Sequence, residues 1–546
     1  MKRVIVILLI VIMFAAASAC NTSGKKDDPT DPGEDGTTVV QPPVTTPENT
    51  PPAVIVPPSP ELQLADTISV VVTNNTSAGM NQSPAAGNTS LTHWTWTMTR
   101  DRLVENLGSG EYGPMLAVDF KTDDYKTFIF DLRQDAVFHN GDPFTADDVL
   151  FTINITKEHP GIPGAEIWSI VESAAALSPF QVEIVLSAVH IDFLYDISSP
   201  PAGILNRRAY NEMDAESWMW IGTGPFRVIE SDSGSVKMER FDDFWGEQAP
   251  TRQVILRHVP EADDNPPLLL SGQIDVCFSV NPADIQQFED HTNFKVVEAV
   301  LNAPNSIGFN MENPLMADRN FRMAIIHAID REEVAFGVAG IWARAPSEGN
   351  NWGYGTEYRL YDIPLRAFDP VLARQYLEAS LWNGETVEIA VSGRSNALAA
   401  GIVREQLMLN LGLETTINEM DVSVFPSYVR ASNAAQIHIF ASSFTLSAAE
   451  STRNVYYPGM GNNRTRFNND YISALIDEAR QTVDLTPRRA IYHELQRFIA
   501  DDPPCFNLFW RLNPIVAVNG VDGMRIGYDA LQYNLRGIYK IIGTGA

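Results

Sequence analysis

Phe130-Asp-Leu-Arg-Gln-Asp-Ala-Val-Phe-His-Asn-Gly-Asp-Pro-Phe-Thr-Ala-Asp-Asp-Val149 reads as strand, turn and capped helix in succession. Its first residues end an alternating stretch, Thr127–Arg133, in which apolar and polar side chains take opposite faces of a half-buried strand. Phe138-His-Asn-Gly-Asp-Pro143 is turn chemistry throughout. Thr145-Ala-Asp-Asp148 then spells a capping box ahead of Val149, Leu150, Phe151 and Ile153. Working outward, Thr67-Ile-Ser-Val-Val-Val-Thr73 is a β-branched run and the expected opening strand. Further on, Asp330-Arg-Glu-Glu333 is a second capping box. Asp369-Pro370 and Thr486-Pro487 each place an N-cap before a proline suited to the first helical position. Between them the pattern predicts strand Val387–Val391, a helix over about 396–411 closed by Gly412, and strands Glu414–Asn418 and Gln436–Phe440. Strands alternating with crossover helices predict an α/β fold with mixed, covered sheets.

The chain has 546 residues, 39 Lys+Arg against 68 Asp+Glu, and a formal charge of −29. That length predicts about three structural lobes at roughly 100–200 residues per domain. The acidic balance excludes a binder of phosphate backbones, which needs a basic face. The 3 cysteines include no CxxC pair and make neither a zinc cluster nor a disulfide scaffold. A bridge between Cys277 and Cys505 is open on sequence, as is a pair of buried thiols.

The N-terminus is an address. Lys2 and Arg3 precede the apolar run Val4–Ala17, whose 14 residues fall short of the ~20 a spanning helix needs but suit a signal-peptide core. Ala17-Ser18-Ala19-Cys20 resembles a lipobox, which implies lipidation of Cys20 as the first mature residue. Residues 21–65 hold 10 of the 35 prolines and few large apolar side chains. Such a stretch cannot bury enough surface to fold, and as a tether it would reach on the order of 100 Å.

A search for catalytic chemistry finds no GxSxG, HExxH, P-loop or kinase set. Gly108-Ser-Gly-Glu-Tyr-Gly113 fits GxGxxG, yet it follows a helical-looking Asp101–Leu107 and precedes Pro114, so it reads as a loop. The 9 histidines are scattered, with no two at metal-ligand spacing. No catalytic residue, metal site or cofactor is expected.

Five ordered segments resemble the family 5 extracellular solute-binding proteins, the peptide and nickel receptors of ABC importers. They are the quoted stretch, Gly222-Thr-Gly-Pro-Phe226, Asp243-Phe-Trp-Gly246, Leu270-Ser-Gly-Gln-Ile-Asp275, and Phe309-Asn310 continuing through Phe321-Arg-Met-Ala-Ile-Ile-His-Ala-Ile-Asp-Arg331. Tyr492-His-Glu-Leu-Gln-Arg-Phe-Ile-Ala-Asp-Asp-Pro503 fits as well. The resemblance implies a two-lobe periplasmic-binding-protein-like fold of type II. Lobe 1 (66–305) would carry an extra subdomain, lobe 2 would span 306–512, and 513–546 would return to lobe 1. Two crossing strands are expected near 300–310 and 508–514. The implied function is that of a lipid-anchored, extracytoplasmic monomer that captures peptides and delivers them to a permease driven by ATPase subunits. Oligosaccharide, and behind it nickel or haem, are the alternative cargoes; a secreted hydrolase lacks its motif.

The resemblance also directs attention to Ser442–Tyr457. Peptide-binding relatives hold the peptide amine with an Asp in this segment, and this chain has none there. Glu450 is its one acid, either replacing that Asp or pairing with Arg453 three residues on. The expected ligand contacts are Ser443, Phe444, Glu450, Arg453 and Tyr456, with Asn310 beside them. Trp94, Trp96, Trp352 and Tyr354 are the aromatic candidates, the first two on one face if their segment is a strand.

Overall fold

The computed structural model describes residues 62–72, 89–108, 111–162, 164–214, 217–259, 264–278, 280–346, 358–431, 434–441, 447–525 and 534–544. Two strands of unusual length organise it: Phe294–Phe309, of 16 residues, runs antiparallel to Cys505–Val518, of 14. On one side of this pair the sheet continues through Ile437–Ala441 and Val387–Ser392 to Thr415–Met420. On the other it continues through Val276–Cys277, Thr67–Val71, Gln253–Arg257 and Ser235–Arg240 to the edge strand Phe226–Ser231. Two lobes therefore share one sheet, joined where the long strands cross.

Each half has its own core. Ile68, Val70, Val254, Leu256 and Phe278 pack with Trp94 and Met98 in the first lobe. In the second, Ile307, Ile389, Val391 and Ile439 pack against Ala324, Val334, Val403 and Leu407 of the covering helices. Val387–Ser392 is parallel to Thr415–Met420, with the helix Arg394–Leu411 crossing between them. Gly412 closes that helix at φ 67, a left-handed conformation that costs glycine no Cβ clash. A four-stranded antiparallel subdomain of lobe 1 (Ala117–Lys121, Thr127–Leu132, Gln181–Leu186 and Val171–Ser178) buries Phe128, Phe130, Val182 and Ile184 against the helix Ala146–Glu158. At that helix's start the Thr145 N–H donates to Asp148 Oδ2 at 3.0 Å, one arm of the expected capping box.

Three of the five motifs converge on one buried carboxylate. Asp101 is fully buried, paired to Arg536 Nη1 at 2.6 Å. Its Oδ2 accepts from Thr223 Oγ1 (3.0 Å) and from Trp245 Nε1 (2.7 Å). The Arg133 guanidinium lies 3.5 Å from the Trp245 ring centroid, so the 130–149 stretch joins the same cluster. Burial pushes the Asp101 pKa up, but Arg536, Trp245 and Arg102 outweigh it and hold the carboxyl below the ordinary range. His139 clamps the neighbouring loop: Gly222 N–H donates to Nδ1 (3.2 Å) and Nε2 donates to Gly224 O (3.0 Å). A Cβ on Gly222 or Gly224 would fall 2.1 Å from Thr99 O or 2.6 Å from Met98 O. Close approach to the end of the helix Thr89–Thr99, rather than a positive φ, is what requires these glycines. In lobe 2, Arg322 Nε donates to Pro503 O (3.1 Å) and Arg331 Nη1 to Asn507 O (3.4 Å), so that lobe's arginine motif grips the start of the second long strand.

Four local expectations are corrected. The segment carrying Trp94 and Trp96 is the helix Thr89–Thr99, not a strand, so the two rings leave opposite sides. Its threonines fit because Thr95, Thr97 and Thr99 hydroxyls donate back to Leu91 O, Trp94 O and Thr95 O at 2.7–3.0 Å. Asp101–Leu107 is not helical: Val104–Gly108 pairs with Glu111–Pro114 as a hairpin. The last long helix starts at Leu485, which puts Thr486 inside it. At Asp330 the capping box is only half made: Asp330 accepts from Glu332 N and Glu333 N, but the Asp330 N–H donates to Gln406 Oε1 (2.9 Å) instead of Glu333.

Asp101→Asn should lower unfolding stability by about 3–5 kcal/mol, since it strands the Arg536 charge in the core. A urea midpoint matching wild type would remove the cluster's structural weight. His139 tests the clamp through pH. Burial lowers its pKa from 6.5 to about 4, so the neutral ring contributes stability that is full above 6.5 and lost as pH falls towards 4. The stability advantage of wild type over His139→Gln should therefore shrink by about 3 kcal/mol across that window. An advantage that ignores pH would mean the ring is not held neutral.

Candidate functional site

Ligand chemistry in a two-lobe fold belongs where the lobes meet, so the crossing strands and the segments around them define the site. The antiparallel register breaks between Val300 and Pro304 and again at Asn305/Ser306, in the middle of the crossing. There Ser306 Oγ donates to Asn507 Oδ1 (2.8 Å) and Asn305 Nδ2 to Asn396 Oδ1 (2.7 Å), polar links on both sides of the break. Arg511, on the second crossing strand, has its pKa lowered by burial, and no acidic partner pairs with it among the described residues. Beyond the strands the lobes also touch. Asp192, in the loop between Gln181–Leu186 and the helix Phe193–Ile197 of the subdomain, is hydrogen-bonded by the Ser447 side chain. Ser447 immediately precedes the lobe 2 helix Ala448–Tyr456. Burial first, and Asp196 second, push the Asp192 pKa up to about 6, against the opposing pull of His190 and Arg488.

The expected ligand contacts do not all gather there. Trp94 is 2% exposed with its ring 4.8 Å from Phe278, a member of the lobe 1 core. Trp96 is buried on the other side of the helix under the Arg100 guanidinium (4.8 Å), with its Nε1 unpartnered. Asn310 serves the chain turn: its Nδ2 donates to Ala434 O (3.3 Å) and its Oδ1 accepts from Glu312 N (3.3 Å). Tyr456 is packed among Phe467 and Cys505, whose Sγ lies 4.0 Å from its hydroxyl. Arg453 sits on the same helix with its guanidinium 5.8 Å from the Tyr457 ring. Glu450 lies on that helix, its side chain outside the described residues, as are Cys20, Trp352, Tyr354, Ser443 and Phe444. Sequence reasoning missed Asp192, Ser447, Arg488 and Arg511. Ser447 before a helix start was the one usable signal, because an Asp in a turn and an Arg in a strand are unremarkable.

The two thiols are not bridged. Cys277 pairs in register with Val516, while Cys505 begins the same strand 11 residues earlier, roughly 36 Å away at ~3.3 Å per residue. An open groove of about 860 Å³ follows the free edge of Phe226–Ser231, lined by His139, Trp220, Arg227 and Glu239. It belongs to lobe 1 alone, and Arg227 is spent on Glu239 at 2.6 Å, so it is not the site between the lobes.

Comparison with known proteins agrees with this architecture. The ABC transporter substrate-binding protein CtaP of Listeria monocytogenes superposes with a TM-score of 0.76 at 18% identity, covering 88% of this chain and 100% of that one. The oligopeptide-binding protein AppA of Bacillus subtilis is 23% identical over 435 residues, 74% of this chain and 79% of AppA. Haem-binding protein A of Haemophilus influenzae is 23% identical over 478 residues, 79% of this chain and 85% of that protein. The model of the bacterial extracellular solute-binding proteins, family 5, middle region, matches residues 111–464, and the chain belongs to that family.

Proposed function

We propose that this protein is the lipid-anchored receptor of an ABC importer, capturing peptides between its lobes and delivering them to a membrane permease. The observation that carries the reading is the pair of crossing strands in a family 5 fold; two lobes joined in this way can bend about the crossing to enclose a solute. The AppA relative's name supports peptide as the cargo class. On this reading lobe 1 spans 66–305 with its subdomain, lobe 2 spans 306–512, and 513–546 returns to lobe 1. The receptor acts as a monomer without catalytic residue or cofactor. Residues 21–65 are the tether and Cys20 is the lipidated residue, on the outer face of the cell membrane. Trp96, Trp352, Tyr354, Ser443, Phe444, Glu450 and Arg453 are the contacts proposed for the enclosed solute; Trp94, Asn310 and Tyr456 are assigned to packing.

Mass spectrometry of what co-purifies with the protein is the test. Peptides of mixed sequence are expected, and their return should compact the stripped protein in solution scattering. Recovery of haem, a nickel chelate or an oligosaccharide would overturn the peptide assignment, and a radius of gyration unchanged at saturation would overturn the hinge. Cys20→Ser should release folded protein from the membrane fraction. A mutant that stays in washed membranes would end the lipid-anchor reading.

A further inference from the structure

The junction at Asp192 holds a carboxylate that the protein balances only in part. One oxygen, Oδ2, is shut off from solvent and has no hydrogen-bond partner. The charged groups facing Asp192 come from two elements. On its own loop and helix, His190 Nε2 and Asp196 Oδ2 sit 2.7 Å apart and are spent on each other. From the lobe 2 helix Leu485–Asp501, Arg488 and Tyr492 face it, Arg488 through its charge and with no ion pair to Asp192 among the described residues. Ser447 contributes a neutral hydroxyl. A buried carboxylate oxygen left in this state is costly, and the cost is relieved either by a proton or by a cation. The raised pKa, about 6, set first by burial, is the proton's side of that relief.

We propose that Asp192 is a specificity-determining residue of the receptor, a carboxylate that takes an ammonium or guanidinium group of the ligand as the lobes close. The inference rests on the peptide-receptor reading and deepens it. The acid reaches the junction from lobe 1, whereas the segment 442–457 of lobe 2 offers Glu450 alone. Because Asp192 meets Ser447 across the lobes, a cation held there gains its full contact only in the closed form, which couples charge recognition to closure. The cation replaces the proton, so binding releases a proton, and affinity for cationic ligands falls as pH drops below about 6.

The test uses the full chain, stripped of ligand, with three peptides: tetra-alanine, its N-acetyl form, and acetyl-Ala-Lys-Ala-Ala. At pH 7.5, Asp192→Asn should weaken every peptide that carries the recognised cation by at least ~30-fold and leave the fully blocked peptide unaffected. Loss confined to tetra-alanine assigns the N-terminal ammonium; loss for the lysine peptide assigns a basic side chain. Wild-type affinity for the affected peptide should fall between pH 7 and 5, and that of Asp192→Asn should not. A loss under threefold, a wild-type affinity that rises on acidification, or a loss seen with Glu450→Gln instead would each overturn the proposal. A ligand-free measurement keeps it separable from the peptide reading. With its raised pKa the carboxylate weakens the fold above pH 6, and this penalty fades as pH falls towards 4. Asp192→Asn should therefore melt higher than wild type at pH 7.5, with the gain vanishing at acid pH. A lower melting temperature at pH 7.5 would make Asp192 a structural partner and sink the idea. If the gain appears but none of the three peptides binds wild type, the peptide reading fails and the cation site stands.

Discussion

The buried Asp101–Arg536 pair is the constraint on which lobe 1 depends. Four stretches far apart in sequence supply its partners: the end of the first helix, the loop at Thr223, the turn at Trp245 and the returning C-terminal segment. Taking both charges out of water is expensive, so the pair is tolerable only because Arg536 meets one carboxylate oxygen while Thr223 and Trp245 both donate to the other. Such a cluster gives little net energy and much specificity. A register slip in any contributor leaves a buried charge exposed to nothing, and that penalty singles out one arrangement of the lobe.

Lobe 2 is fastened differently. Arg322 and Arg331 lie on its helices and donate to backbone carbonyls at the mouth of the second long strand, so they position the strand without depending on its side chains. The crossing beyond that mouth is the weakest part of the ladder. Its register breaks at Val300–Pro304, and side-chain amides and hydroxyls take over where backbone pairing lapses. A bend there breaks few regular hydrogen bonds, which is what a hinge in a continuous sheet requires.

What could be read from the sequence follows interaction range. The helix after Asp369-Pro370, the Gly412 stop and the parallel strands around Arg394–Leu411 are set by local chemistry, and the sequence displays that chemistry openly. The Trp94 segment misled because threonines alternating with tryptophans imitate a strand, while the Thr95, Thr97 and Thr99 hydroxyls bond within the helix and every side chain from Leu91 to Thr99 is buried. The motifs were legible as positions but not as a cluster, since Thr223 and Trp245 meet through Asp101 and Arg133 joins them by stacking on the Trp245 ring. The candidate site was legible least. Its contact between Asp192 and Ser447 joins two lobes, and nothing local to either residue announces the other.

The separation of the two thiols has a consequence for how such a chain matures. Cys277 is fully buried and Cys505 5% exposed, each surrounded by its own core, and neither is within reach of the other. The folded body therefore owes none of its stability to oxidation. A chain threaded unfolded through a membrane can reach this structure by packing alone, in an oxidising or a reducing surrounding alike, with no isomerase to correct its pairing. Oxidants that meet the finished fold find both sulfurs already sealed inside it.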